Sequence, residues 1–186
     1  MDISRNYTVR DVERMESHAE LIAGSLTIED KTSVTHNMVI TDIVTALRNY
    51  FAKEDANCKV FSENVALYCN EISGGGEDNY FLPDVMAVCG QDGVREDGVH
   101  VAPLFVVEVT SDATKKNDYG DKMIVYRNIG VKEYWVVDLQ RKMLVKHQSI
   151  NQFIPEPYVY PDIAKVSVYP GLYIDLSNYL QNEGVF

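Results

Sequence analysis

An aspartate lies inside a stretch of sequence that otherwise predicts a buried strand. In residues 80–90, YFLPDVMAVCG, Asp84 directly follows Pro83 and is surrounded by apolar side chains. A carboxylate in such a place is costly to desolvate unless a cation or a hydrogen-bond donor is paired with it. We therefore expect Asp84 to have a partner elsewhere in the fold.

A second carboxylate interrupts the next apolar segment. Residues 105–109 would form an uninterrupted core strand if Glu108 were apolar. Alternate side chains of a pleated strand face the same side, so Glu108 shares a face with Val106, and Asp84 shares a face with Met86. If the two strands are neighbours in a sheet, the two carboxylates should converge on one point.

Two convergent carboxylates repel each other, and burial strengthens the repulsion. A divalent cation removes the conflict, and Mg²⁺ in particular takes oxygen ligands and keeps waters for a phosphate substrate. Lys122 lies in a predicted helix after the Glu108 strand and could stabilise the charge that develops on a phosphate. The three residues together predict metal-dependent phosphoryl chemistry.

Each of these residues also has a structural interpretation. Asp84 could be a turn residue after a proline, Glu108 an outward-facing strand residue, and Lys122 a solvated helix lysine. Charged side chains are rarely buried without a partner and often reach the surface. Their joint occurrence on consecutive apolar segments, followed by a lysine-bearing helix, favours the functional interpretation.

The predicted elements that position these residues alternate between helices and strands. Apolar spacings of three and four predict the main helix over residues 34–53. The central strands are apolar on both alternations, which is typical of a sheet covered on both faces. We expect an α/β fold with a mixed central β-sheet flanked by helices, forming one domain over residues 1–186 with an N-terminal helix and hairpin and a C-terminal wrapping tail. The other predicted segments are helices 8–17 and 118–129, strands 59–69, 80–90 and 102–111, a strand pair or a bent strand around Gly24 in 19–29, and a hairpin of 133–139 with 143–149.

Composition narrows the classes of function. The formal net charge of −11 argues against a protein that coats nucleic acid by charge alone, but it permits an enzyme that meets phosphate through a metal and local lysines. Without a long apolar run or a signal-peptide pattern, we expect a cytoplasmic protein with no membrane segment. Three cysteines without a CxxC motif predict neither a disulfide framework nor a zinc site.

A series of motifs resembles the Uma-type restriction endonucleases, a family of the PD-(D/E)xK nuclease-like superfamily that was long catalogued as a domain of unknown function. The resemblance covers residues 8–175, and its C-terminal block is the most specific part. The motifs are Pro83-Asp84, Glu108-Val109-Thr110, Lys122 with Tyr126, GVKEYWVVD at 130–138, ELIAGSL at 20–26, and His36.

The resemblance implies a restriction endonuclease-like core and metal-dependent hydrolysis of phosphodiester bonds in DNA, with Mg²⁺ or Mn²⁺ as cofactor. It assigns Asp84, Glu108 and the backbone carbonyl of Val109 as metal ligands, and it suggests Glu20 as an additional acid of the catalytic site. Threonine stands at position 110, where the superfamily usually has its lysine. The resemblance therefore passes the role of that lysine to Lys122.

Several questions stay open at the level of sequence. His36 could act as a general base, or it could cap and pack the start of its helix. The fold could also serve a catalytically inert binding module, or a metal-dependent hydrolase of a small phosphorylated substrate. Exposed strand segments and an aromatic C-terminal tail favour a homodimer.

Overall fold

A computed structural model describes residues 7–15, 19–28, 32–54, 56–75, 78–90, 92–111 and 114–181. The helices are α1 (Val9–Val12), α2 (Val34–Lys53), α3 (Cys69–Ser73), α4 (Lys115–Tyr119), α5 (Asp121–Ile129) and α6 (Ser177–Leu180), with a 3-10 turn at Ser149–Asn151. The strands are β1 (Ala19–Ile22), β2 (Ser25–Ile28), β3 (Cys58–Ser62), β4 (Leu67–Tyr68), β5 (Tyr80–Phe81), β6 (Val85–Cys89), β7 (Val94–Arg95), β8 (Gly98–Val99), β9 (Phe105–Thr110), β10 (Glu133–Asp138), β11 (Met143–Gln148), β12 (Glu156–Val159), β13 (Ile163–Lys165) and β14 (Tyr173–Asp175).

The central sheet has six strands in the order β12-β11-β10-β9-β6-β3. Strands β9 and β10 run parallel, and the other neighbouring pairs of this sheet are antiparallel. The mixed α/β architecture predicted from the sequence is confirmed, and so is the hairpin of β10 and β11. Strand β6 lies next to β9, which is the arrangement that the convergence of Asp84 and Glu108 requires.

Helices cover both faces of the central sheet. On one face, α2 buries Val39, Ile43 and Leu47 against a cluster that contains Val107 and Trp135. On the other face, α5 and the following turn bury a second cluster, whose members include Tyr126, Met86, Val106 and Tyr134. Successive strand residues fall in opposite clusters, so both faces of the strands are buried, as their continuous apolar character predicts.

The start of α2 and the end of α5 lie where the sequence predicts. The side chain of Ser33 accepts a hydrogen bond from the N–H of His36 and caps α2. Gly130 adopts φ 97°, a left-handed conformation that favours glycine, and it terminates α5. The predicted helix 118–129 is divided at Gly120 into α4 and α5, and α4 begins three residues earlier than predicted.

The N-terminal helix is shorter than its prediction within the described residues. It covers Val9–Val12, and residues 16 and 17 of the predicted segment lie outside the part of the chain that the structure describes. The backbone N–H and the side-chain hydroxyl of Thr8 both donate to Oδ2 of Asp11. These two bonds form a capping interaction at the start of the helix.

Two segments predicted as continuous strands are each divided between two sheets. Residues 59–69 form β3 and β4, and residues 80–90 form β5 and β6. The first break follows from positive φ angles at Glu63 and Asn64, and the second contains Pro83, which has no N–H to donate to a ladder. The diverted halves join a second six-stranded sheet of order β2-β1-β5-β4-β8-β7. Between the predicted strands, the chain forms α3 after β4 and the β7–β8 hairpin after β6.

The cysteines correct the sequence prediction. Cys58 and Cys89 form a disulfide between the neighbouring strands β3 and β6, whereas Cys69 is free and buried. An odd cysteine count and wide spacing cannot reveal that two of the residues face each other across a sheet. Among the described residues, no helix is both long and apolar enough to cross a membrane.

Candidate active site

The ends of three neighbouring strands bring three carboxylates into one row. The registers pair Ser62 with Val85 and Val85 with Val107. One residue further along, the N–H of Glu63 donates to the carbonyl of Asp84 at 3.3 Å. On the other side, the N–H of Asp84 donates to Oε2 of Glu108, also at 3.3 Å. The carboxylate of Glu108 therefore reaches the backbone of Asp84, and the two residues lie side by side as strand alternation predicts.

Asp84 occupies the middle of this row, just before the first residue of β6. Its Oδ2 accepts the backbone N–H of Val109 at 2.6 Å, and its Oδ1 lies 3.1 Å from Nε2 of His36. The side chain of Asp84 is 14% exposed. The carboxylate is thus fixed by a peptide group on one side and an imidazole on the other, while one edge still reaches solvent.

Glu108 is buried and bonded on both of its oxygens. Its Oε1 accepts the hydroxyl of Tyr126 at 2.6 Å and the ammonium of Lys122 at 3.1 Å. Burial raises the pKa of Glu108 well above its usual value; the charge of Lys122 opposes this effect, and the negative charges of Asp84 and Asp118 add to it. A bound cation would relieve the same electrostatic conflict.

Lys122 is a buried ammonium surrounded by acids. In addition to Glu108, its Nζ lies 2.8 Å from Oε2 of Glu20 and 3.6 Å from Oδ1 of Asp118. Burial by itself lowers the pKa of Lys122, but the negative charges of Glu108, Glu20 and Asp118 outweigh burial and hold this pKa well above its usual value. Lys122 therefore stays positively charged across the neutral range.

Glu20 connects the second sheet to this cluster. It lies on β1, and its Oε1 accepts the N–H of Leu82 at 2.7 Å while its Oε2 contacts Lys122. The structure thus brings Glu20 to the site, as the sequence resemblance implies. Its contacts are with Lys122 and a backbone N–H, which is the environment of a residue that positions the lysine.

Two residues of the site were missed at the level of sequence. Asp118 lies one helical turn before Lys122, and this i, i+4 spacing of opposite charges was a readable signal. Burial raises the pKa of Asp118, with Lys122 opposing the rise. Glu63 left no comparable signal, because its position depends on the register of β3 with β6 and on a backbone φ of 24°.

The donor set fits a divalent cation. Among the residues that the structure describes, one group of three side chains offers ligand atoms within 4.8 Å of one another, namely His36, Glu63 and Asp84. Asp84 also lies beside Glu108, so one further carboxylate and the Val109 peptide adjoin this group. Hard divalent cations bind such oxygen ligands. Coordination by Glu108 and by the Val109 carbonyl stays a prediction.

His36 lies at the start of α2 and is almost completely buried. Its N–H donates to Oγ of Ser33 at 3.1 Å, which caps the helix, while its imidazole contacts Asp84. The backbone of His36 thus takes part in capping the helix, as the structural interpretation predicts. Its side chain is directed at the carboxylate cluster. A role as a general base stays a prediction.

Comparison with known proteins bears on the family and the fold of this chain. The family Uma2, described as "Putative restriction endonuclease", matches residues 7–177. A crystal structure of "a putative nuclease belonging to DUF820" from Anabaena variabilis superposes with a TM-score of 0.76 at 16% identity, covering 94% of this chain and 99% of that chain. No curated protein matches the chain significantly. A structural likeness at such low identity shows a shared fold and no more. The family match spans most of the sequence and therefore shows the family. The chain belongs to the Uma2 family.

Proposed function

We propose that this protein is a metal-dependent endonuclease that hydrolyses phosphodiester bonds of DNA. One observation carries the proposal: the ammonium of Lys122 contacts the carboxylate of Glu108, whose other oxygen accepts the backbone N–H of Asp84, where β6 and β9 lie side by side. The nuclease family of the chain supports the reaction class. DNA as substrate and Mg²⁺ or Mn²⁺ as cofactor are the more specific parts of the proposal.

The residues divide into ligands of the cation and groups that hold the lysine. Asp84 and Glu108, with the carbonyl of Val109, would hold the divalent cation. When bound, such a cation lowers the pKa of a coordinated water and neutralises the phosphate. Lys122 stabilises the negative charge that develops on the phosphate. Its own charge is maintained by Glu20.

Tyr126 orients the metal-binding carboxylate. Its hydroxyl donates to Oε1 of Glu108, the same oxygen that contacts Lys122. The two donors hold Glu108 from one side, so that Oε2 stays directed toward Asp84. Rigid placement of ligands by neighbouring hydrogen bonds is the usual means of tuning a metal site.

A plasmid-nicking assay tests the proposal. We expect the wild-type protein to convert supercoiled plasmid to nicked or linear DNA in the presence of Mg²⁺ or Mn²⁺ and to lose this activity with a chelator. Asp84→Asn and Glu108→Gln should each reduce the rate by at least about 10²-fold, because each removes a charged ligand. Glu54→Gln is a matched control, since Glu54 is exposed and caps the far end of α2, about 27 Å along the helix from His36.

The outcomes separate the proposal from its rivals. Undiminished cleavage by pure Asp84→Asn protein would contradict the site assignment. Metal binding by the wild-type protein without affinity for DNA would favour a hydrolase of small phosphorylated substrates. Failure of the folded wild-type protein to bind either metal at neutral pH would favour an inert binding module.

Two further parts of the proposal concern assembly and location. A homodimer is supported by β12, which is the edge of the central sheet and exposes Tyr158 and Val159.

A cytoplasmic location would place the enzyme where it meets DNA. Disulfides are rare in that compartment, so the state of Cys58 and Cys89 in the purified protein tests this part directly.

A further inference from the structure

The group formed by His36, Glu63 and Asp84 draws its members from three separate elements. His36 comes from the first turn of α2, Glu63 follows the end of β3, and Asp84 precedes β6. One ligand atom of each lies within 4.8 Å of the others. An imidazole and two carboxylates supply the donor atoms that divalent transition metals bind in proteins.

This group lies on the opposite side of Asp84 from the lysine cluster. Oδ1 of Asp84 faces the imidazole of His36, whereas Oδ2 accepts the N–H of Val109. On the lysine side, Oε1 of Glu108 is bonded to Lys122. Asp84 can therefore serve both groups, one with each oxygen.

The dimensions of the group suit a metal after a small adjustment. Bonds of about 2.0–2.2 Å to nitrogen and oxygen ligands place neighbouring ligand atoms roughly 3–4 Å apart. The ligand atoms lie within 4.8 Å of one another, so side-chain rotation has to close at most about 1–2 Å. Glu63 is partly exposed and can rotate, while its backbone is fixed by the hydrogen bond to the Asp84 carbonyl.

We propose that His36, Glu63 and Asp84 form a second divalent-cation site that prefers a transition metal such as Mn²⁺ to Mg²⁺. The preference follows from the imidazole, since Mg²⁺ favours oxygen ligands and neutral imidazole binds the transition metals more readily. The inference rests on the proposed function only in that Asp84 is shared between the two sites.

Calorimetric titration of the purified full-length chain with MnCl₂ and with MgCl₂, in the absence of DNA, tests the proposal. We expect the wild-type protein to bind Mn²⁺ at least about tenfold more tightly than Mg²⁺. His36→Gln and Glu63→Gln should each weaken Mn²⁺ binding about 10- to 100-fold and change Mg²⁺ binding much less. Glu54→Gln should bind both ions like the wild type.

Equal Mn²⁺ affinity in the wild type and in both variants would overturn the proposal, as would a wild-type protein with no preference for Mn²⁺. Circular dichroism of each variant shows whether it is folded. If His36→Gln does not fold, Glu63→Gln decides the question, because its side chain is partly exposed at a strand end.

Plasmid cleavage by the same proteins separates this proposal from the proposed function. If Mn²⁺ binding depends on His36 and Glu63 but no protein cuts DNA, the second cation site stands and the nuclease proposal fails. If the wild type cuts DNA and both variants retain its metal preference, the nuclease proposal stands and the second site is excluded.

Discussion

The ammonium of Lys122 lies 3.1 Å from Oε1 of Glu108, and both groups are buried. The same ammonium contacts Glu20 and Asp118, so one positive charge faces three carboxylates. In such a cluster, the cost of desolvating the charges opposes the Coulomb attraction between them. The net contribution of the cluster to stability is therefore small when all of its members are present. Removing one partner is costly, because the remaining charges stay buried.

Lys122→Met should therefore destabilise the fold as well as abolish cleavage. We expect a loss of about 3–5 kcal/mol in the free energy of unfolding at neutral pH, measured by urea titration. Lys132→Met removes an exposed lysine that directly precedes β10. Its free energy of unfolding should stay within about 0.5 kcal/mol of the wild-type value. Equal stabilities of the two variants would show that the buried cluster is absent in solution.

The pH dependence of this effect follows from the direction of the pKa shift. The raised pKa of Lys122 in the folded state means that its stabilising contribution is complete below its unfolded pKa, about 10.4. The contribution is lost only as the pH rises through the higher folded value. The difference between the wild type and Lys122→Met should therefore persist at neutral pH and decrease in strong alkali.

Tyr126→Phe should produce a smaller, separable effect. The variant removes a hydroxyl that donates to Oε1 of Glu108 at 2.6 Å and keeps the aromatic ring in the core. Hydrogen bonds to charged groups contribute about 1.5–3 kcal/mol, and urea titration should show a loss of that size. Tyr173→Phe, at an exposed site, is the matched control. A Tyr126→Phe protein as stable as this control would contradict the hydrogen bond.

The Cys58–Cys89 bond closes a loop with a sequence separation of 31 residues. In the chain-entropy description, a disulfide that closes a loop of this length stabilises the fold by about 3–4 kcal/mol. The free energy of unfolding of the double variant Cys58→Ser, Cys89→Ser should be lower than that of the wild type by this amount. A reductant should have little effect on the stability of the double variant. Thiol labelling of the denatured wild type should detect one free cysteine, Cys69. Detection of three would contradict the disulfide and restore the prediction of reduced cysteines.

His147 should make the fold sensitive to mild acid. Burial lowers its pKa, while a hydrogen bond to the carbonyl of Phe153 at 3.0 Å partly opposes this effect. As the pH falls, the imidazole of His147 is therefore protonated in the unfolded chain, at about pH 6.5, before it is protonated in the folded protein. Stability should fall as the pH drops from about 7 through the folded pKa, with a slope of at most about 1.4 kcal/mol per pH unit.

His147→Asn tests this dependence. Asparagine can keep a donor near the position of Nδ1 for the Phe153 carbonyl, but it does not titrate. The variant should be less stable than the wild type at pH 7, because the imidazole also packs against Tyr134 and Phe153. Its stability should change less between pH 7 and 5. Parallel curves for the two proteins would exclude His147 as the source.

The part of the site that sequence reasoning found depends on alternation within strands. Asp84 and Glu108 were recognisable because each interrupts an apolar run. A period of two assigned each to a face of its own strand, and their convergence was expected only if the strands were neighbours. Lys122 was recognisable from its helix. Helix ends were likewise readable at Ser33 and Gly130, where local chemistry determines the backbone.

The parts that sequence reasoning missed depend on register. Glu63 reaches Asp84, and Cys58 reaches Cys89, only because β3 pairs with β6 in one particular alignment. That alignment is fixed by tertiary packing, which periodicity does not encode. The division of residues 80–90 at Pro83 belongs to the same class, since the apolar pattern continues through the break.

Diffraction from crystals of this protein soaked in MnCl₂ tests the central claim most directly. The account predicts an anomalous peak at about 2.0–2.5 Å from one oxygen of Asp84 and one oxygen of Glu108, with Lys122 still beside Glu108. Manganese that binds elsewhere in the crystal and leaves Glu108 bonded only to Lys122 and Tyr126 would contradict it.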